Sequence, residues 1–279
     1  MTKQNNFPKI SIVTPSFNQG KYLEETIKSV LSQNYPNLEY IIIDGGSTDG
    51  SIDIIKKYAD RLSYWVSEPD KGHGDALNKG FKHSTGEIMA WLNSDDLYFP
   101  WAFKAVSEIF SAYPKVEWLT TARRVSLEID NLAHKELTFV NFGRSGFKKG
   151  FYLFASDNVI SQESTFWRRP LWERAGGYIN EASRVMPDFE LWSRFWEMSE
   201  LYSATVPLGI FRRHKGQATS DQYNACLAEE KRIFTSRFGR MPSEKSLFIP
   251  RMLIRRPNLC RILFLADRRV IKYKNDKTK

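Results

Sequence analysis

Ile88-Met89-Ala90-Trp91-Leu92-Asn93-Ser94-Asp95-Asp96 places two adjacent carboxylates directly after a short apolar run. The run is too short for a typical helix and reads as a buried strand. In open α/β sheets, ligands bind outside the carboxyl ends of the strands. Two acids at such an end can hold a divalent cation, and the cation can hold a diphosphate. The same acids would also suit the start of a helix, since Asp is a favoured N-cap and anions favour helix N-termini. On these residues alone both readings stand.

Outward from this stretch the chain alternates. Residues 9–14 form a β-rich run that stops at Pro15, which cannot donate to a ladder. Residues 22–33 set Leu23, Ile27, Val30 and Leu31 on one helical face. Residues 38–43 become continuously apolar, as central parallel strands do. Asp44-Gly45-Gly46-Ser47-Thr48-Asp49-Gly50 then turns into a helix over 52–58, with three good capping residues. It has neither dinucleotide-fingerprint nor P-loop spacing, so a turn without a ligand fits it too. A strand over 62–67 and a loop dense in charge and glycine lead to a helix over 76–83; His73 reads as a polar residue of that loop. A further helix starts at Pro100. This alternation predicts stacked βαβ units and a parallel sheet.

After Tyr113 the pattern changes. Residues 116–129 and 136–142 read as β segments without a helix between them, and 144–150 as a Gly/Lys-rich loop mobile over the site. A strand over 164–168, a short helix from Pro170 and a helix over 188–198 follow, with Pro187 where a helix tolerates it. A strand over 205–212 and a helix over 221–234 close the body. The organisation is therefore residues 1–113, a mixed α+β half over 114–236 in the same domain, and a tail over 237–279.

Composition is that of an ordinary globular protein: 279 residues, 42% hydrophobic and 26% charged. No apolar run approaches the ~20 residues of a membrane span. The polar stretch 1–8 lacks a signal-peptide core, so a cytoplasmic location is expected. Cys226 and Cys260 have no metal or redox spacing and are expected to be plain thiols. The net charge of +9 is uneven: from Lys231 onward fifteen Lys and Arg face three acids, a local +12, which leaves −3 on the rest. A nucleic-acid-binding domain would be basic throughout, and no nucleic-acid partner is expected. The tail interleaves its cations with Leu247, Phe248, Ile249, Met252, Leu253, Ile254, Ile262, Leu263, Phe264 and Leu265. That pattern favours an anionic membrane surface, and so a peripheral place on the inner face of the cytoplasmic membrane. A helix packed on the body with a solvated basic face would show the same pattern.

Five segments, in order, resemble the family 2 glycosyltransferases of bacteria. They are Val13-Thr14-Pro15-Ser16-Phe17-Asn18, Ser29-Val30-Leu31-Ser32-Gln33, the run from Ile42 to Gly50, Asp70-Lys71-Gly72 with Ala76-Leu77-Asn78-Lys79-Gly80, and Asn93-Ser94-Asp95-Asp96. The resemblance covers residues 9–215 and hardly touches the tail. It implies a glycosyltransferase A-type fold, an α/β architecture whose Rossmann-like, mostly parallel central sheet is flanked by helices. Residues 1–113 would bind a nucleotide-sugar donor, 114–236 would bind the acceptor, and the anomeric carbon would be inverted.

The resemblance also implies roles. Thr14, Pro15 and Asp44 match positions lining the base and ribose. Some members carry a second Asp after the first that helps read uracil; here Gly45 stands there. Asp70 and Lys71 match a donor-contacting loop. Asp95 would contact ribose or diphosphate, and Asp96 would ligate Mg2+ or Mn2+. A histidine matching His214 approaches the metal or diphosphate, and an arginine beside it in Arg212-Arg213 would steady the leaving group. Gln162 and Glu163 match the acceptor side. Inversion needs a base for the acceptor hydroxyl, and Met186-Pro187-Asp188-Phe189-Glu190-Leu191-Trp192 offers Asp188, with Glu190 in reserve; Pro187 replaces the family's usual Glu. The expected activity is metal-dependent transfer from a UDP- or dTDP-sugar to a glycan or lipid-linked acceptor in cell-surface polysaccharide synthesis. A silent sugar-nucleotide- or glycan-binding module and a nucleotidyltransferase are the alternatives; intact Asp95, Asp96 and Asp188 disfavour the first, and a missing Gly-rich pyrophosphorylase loop the second.

Overall fold

A computed structural model describes residues 7–129, 133–137, 143–154, 159–217, 221–243 and 269–273. The first half alternates as expected: β1 (Ile10–Ser16), α1 (Gly20–Leu31), β2 (Leu38–Asp44), α2 (Ser51–Lys57), β3 (Tyr64–Ser67), α3 (His73–His83) and β4 (Ile88–Trp91). Then come β5 (Leu97–Tyr98), α4 (Ala102–Ala112), β6 (Trp118–Thr121), β7 (Arg124–Glu128), β8 (Ala133–Leu137), α5 (Arg144–Lys148), β9 (Phe166–Arg168) and α6 (Arg169–Arg174). The chain continues through α7 (Pro187–Met198), β10 (Leu201–Ala204), β11 (Gly209–Arg213), α8 (Tyr223–Phe238) and β12 (Val270–Ile271).

Among the described residues the main sheet has the order β12-β10-β6-β9-β4-β1-β2-β3. Its pairings are parallel except where β9 runs against β4 and β6. Crossover helices cover such a sheet, which is why β1 and β4 are buried at every position. α3 lies so close to it that a Cβ at Gly80 would stand 2.4 Å from Val13 Cγ1. A smaller sheet, β5-β11-β7-β8, carries β11, whose end reaches back to the acid turn after β4.

Several expected elements differ. The single β segment over 116–129 is two strands, because β6 joins the main sheet while β7 joins the small one. The strand expected over 205–212 starts only at Gly209, as β11 of the small sheet; Leu201–Ala204 ahead of it forms β10 of the main sheet. β8 begins before the expected 136–142, of which 138–142 lies outside the described residues. The Gly/Lys-rich loop at 144–150 contains α5, anchored by buried Phe147 stacked on Trp196. α3 starts at His73, so that residue belongs to a helix. The tail's apolar residues lie outside the described region; only 269–273 is described there, adding β12 to the sheet edge. No helix among the described residues is long and apolar enough to cross a membrane.

One aromatic block joins the two halves. Trp91 of β4 stacks on Trp192 of α7 at 5.7 Å and meets Trp167 of β9 at 5.6 Å. Trp118 of β6 packs on Trp192 at 5.5 Å and Trp196 at 5.1 Å. All five indoles are buried. Truncating a buried Trp to Ala typically costs about 3–5 kcal/mol, so the block holds α7 firmly on the end of β4.

Candidate active site

A cavity of about 1390 Å³ opens at the carboxyl ends of β1 to β4. Pro15, Asp70, Asp95, Asp96, Gln162, Glu163 and Asp188 all line it, although they are far apart in the chain. Thr14, Asp44, Lys71 and His214 stand outside the lining. Thr14 is buried behind Pro15 with Oγ1 3.1 Å from the Tyr40 hydroxyl. Lys71 is exposed, its backbone N–H donating to Asp75.

Asp44 is fully buried and turned inward. Its Oδ2 accepts from the N–H groups of Gly46 and Ser47 and from the Ser67 hydroxyl, and its Oδ1 accepts from the Ser47 hydroxyl at 2.6 Å. The carboxylate shapes the glycine turn. The space beside Gly45 is taken by the neighbouring loop: a Cβ there would lie 2.6 Å from Asp70 Oδ2. Asp70 thus puts an acid where some family members place their second Asp. Its other oxygen accepts the Gly72 N–H at 2.8 Å.

Asp96 is 1% exposed and accepts the Arg212 N–H on Oδ1 at 3.0 Å. Burial, reinforced by Asp95 and Glu163, pushes its carboxyl well above the usual carboxylate range. Asp95 Oδ2 lies 3.1 Å from Nε2 of His214. The other ring nitrogen, Nδ1, is 2.9 Å from the Lys215 carbonyl, which can only accept. The ring thus spans from that carbonyl to the Asp95 carboxylate. Metal-bound histidines commonly donate their second N–H to a carbonyl in this way. The donor set of carboxylates and imidazole therefore fits Mg2+ or Mn2+. Among the described residues no three such side chains converge tightly enough to hold an ion unaided.

Asp188 sits in the first turn of α7, whose N-terminus favours a charged carboxylate. Burial outweighs that and raises its pKa to about 6, although the Phe189 N–H donates to it; nearby Glu229 adds to the rise. Glu190 is committed elsewhere, in a buried ion pair with Arg194 at 2.8 Å.

Four residues were not legible from sequence reasoning. Glu229 of α8 accepts the N–H groups of Arg184, Val185 and Met186 and the Ser183 hydroxyl, gripping the loop that delivers Asp188. His73 lines the cavity, with Nε2 3.1 Å from Asn93 Oδ1, and burial lowers its pKa. Thr26 and Tyr22 of α1 contact the acid turn and His214. None lies in a motif, and only the helical spacing of Tyr22 and Thr26 hinted at a shared face. The expectation for Arg212 divides: its side chain is buried behind the acids, whereas Arg213 lines the cavity.

The model of glycosyl transferase family 2 matches residues 11–173, well over half of the chain. The chain belongs to that family. An uncharacterised glycosyltransferase of Rickettsia typhi is 28% identical over 250 residues, 88% of this chain and 77% of that protein. The fold matches S. aureus TarS in complex with UDP-GlcNAc at a TM-score of 0.61, with 17% identity over 82% of this chain and 71% of that one. It matches the Pyrobaculum calidifontis mannosyltransferase PcManGT, in complex with GDP-Man and Mn2+, also at 0.61, with 20% identity over 90% and 69%. This family 2 member is a glycosyltransferase of the A-type fold.

Asp188 is expected to titrate near pH 6, followed through its carboxyl 13C shift. Glu229→Gln, which removes a neighbouring negative charge, should lower that midpoint. An unchanged midpoint would remove Glu229 from the account of this carboxyl.

Proposed function

We propose that the enzyme is a metal-dependent, inverting glycosyltransferase that moves a sugar from a UDP- or dTDP-sugar to a glycan or lipid-linked acceptor of a cell-surface polysaccharide. One observation carries this: Asp95 and Asp96 share a cavity with Asp188, a half-buried carboxyl whose pKa is raised to about 6. The nucleotide-sugar complexes of TarS and PcManGT, and the Mn2+ in the latter, support it.

The donor half, residues 1–113, holds the nucleoside on Pro15 and Asp70, with Thr14 and Asp44 supporting the surface from behind and Lys71 at its outer edge. Asp96, with Asp95 and His214, would hold Mg2+ or Mn2+. Such ions take one or two carboxylates from the protein and further oxygens from substrate phosphates. When bound, the ion neutralises charge that builds on the departing diphosphate. Arg213 at the cavity wall adds a fixed positive charge near the same group.

In the acceptor half, residues 114–236, Gln162 and Glu163 orient the sugar that attacks. Asp188 as carboxylate takes the proton of the acceptor hydroxyl. The freed oxygen pair bonds to the anomeric carbon from the face opposite the diphosphate. The bond from that carbon to the diphosphate oxygen breaks, and the nucleoside diphosphate leaves with the electron pair. One bond forms and one breaks on opposite faces, so the configuration inverts. The basic tail, residues 237–279, would hold the enzyme on the anionic inner membrane face where lipid-linked acceptors reside.

UDP-, dTDP- and GDP-sugars with Mn2+ provide the test, read as slow donor hydrolysis and as transfer. The wild type should hydrolyse one donor and stop with chelator; Asp96→Ala should fall by at least about 100-fold. Asp188→Asn should lose transfer while keeping donor binding, and wild-type kcat/KM should rise with pH through about 6. Full activity in chelator, or in Asp188→Asn, would sink the mechanism. A chain truncated after Arg240 should lose the binding to phosphatidylglycerol vesicles that the full chain shows. Equal partitioning of both would end the membrane assignment.

A further inference from the structure

The peptide carbonyls of Ser94, Asp95 and Asp96 all point away from the cavity, and two side chains collect them. The Thr26 hydroxyl lies 2.8 Å from the Ser94 carbonyl and 2.9 Å from the Asp96 carbonyl. Arg212 Nε donates to the Asp95 carbonyl. Arg212 Nη2 also donates to Thr26 Oγ1 at 2.8 Å. That bond occupies a lone pair of the hydroxyl, so its single proton goes to an acceptor: the two turn carbonyls are close, and the Tyr22 carbonyl is a longer alternative at 3.4 Å.

The rest of the guanidinium is secured on α1. Nη1 donates to Glu25 Oε2 at 2.5 Å and Nη2 to the Tyr22 carbonyl at 3.0 Å, with the Tyr22 ring 5.4 Å away. The same ring lies against His214, with centroids 4.2 Å apart and planes tilted by 30°. Tyr22, Glu25 and Thr26 stand at i, i+3 and i+4, which puts them on one helical face. Thr26 is wholly buried and Arg212 is 1% exposed, so neither can turn to water.

The structure assigns Thr26 and Arg212 as positioning residues that preset the Asp95–Asp96 turn for a divalent cation. The inference rests on the metal site proposed above and adds residues that touch neither substrate nor ion. Two neighbouring carboxylates repel each other. With its three carbonyls tied back to α1 and β11, the turn cannot rotate to separate them, and its side chains stay on the cavity side. The Arg212 backbone N–H fixes one oxygen of Asp96, and Tyr22 fixes the plane of His214. The cation therefore meets donors already oriented.

The test uses the full chain, stripped with chelator and dialysed, and titrated with Mn2+ alone and with UDP, dTDP or GDP present. Bound Mn2+ is read by electron paramagnetic resonance. Thr26→Val keeps the shape and removes the hydroxyl. It should weaken Mn2+ binding about 10- to 100-fold, the usual effect of losing an outer-sphere partner. Thr26→Ser should restore it, and the melting midpoint of Thr26→Val should stay within a few degrees of wild type. Arg212→Lys retains charge but loses the fork, and should weaken binding similarly. Wild-type Mn2+ binding with Thr26→Val within twofold overturns the positioning role and leaves the metal site standing. A wild type that binds no Mn2+ under any of these conditions overturns both. Failure of both variants to fold would show that the brace serves the fold and not the turn.

Discussion

Two carboxylates at the end of one strand repel each other, and the architecture around them answers that repulsion. β4 delivers Asp95 and Asp96 to the open end of the sheet, where one is almost wholly buried. Burial removes the water that would screen them, and Glu163 adds a third acid nearby. The compensation comes from behind: Arg212 crosses from the small sheet, Thr26 reaches up from α1, and Gln217 donates to Asp95 and to the Arg212 carbonyl. The small sheet thus closes the back of the site, and β11 supplies both the brace and His214 just beyond it.

The second requirement is distance. The proposed mechanism needs Asp95–Asp96 and Asp188 held at a fixed separation, and they come from opposite halves of the chain. The tryptophan block does this. Trp91 immediately precedes the acid turn's approach, Trp192 lies one helical turn beyond Asp188, and the two indoles stack. Gln162 adds a polar tie by donating to the Trp91 carbonyl at 2.8 Å. Glu229 then trims the loop before α7 with four acceptor bonds, so Asp188 enters the cavity from a clamped segment.

What could be read in the sequence follows from the range of the interactions. Strand runs, capping residues and the glycine turn are local, and βαβ alternation gives the sheet of the first half. The segments around Thr14, Asp44, Asp70 and Asp95 carry enough of the family's pattern to name the fold, and Pro15, Asp70, Asp95 and Asp96 from them line one cavity with the candidates Gln162, Glu163 and Asp188 of the second half. Strand exchange between sheets was hidden, because β6 and β7 are separated by two residues and differ only in their partners. α5 was hidden by Gly and Lys on either side of Phe147, whose burial depends on Trp196 some fifty positions later. Asp44 has a motif position but an inward carboxylate, since four donors lie within reach only after the turn folds. Arg212, Thr26 and Glu229 act across more than forty positions through backbone atoms, which leave no trace in residue type.

The most direct measurement is a crystal structure grown with Mn2+ and the nucleoside diphosphate of the preferred donor, with Mn2+ located by anomalous scattering. One ion is expected on Asp96, with Asp95 or His214 and the diphosphate nearby, and an acid turn superposing on the metal-free arrangement. A nucleotide seated with no ion at the acids, or an ion bound only after the turn has rearranged, would contradict that expectation.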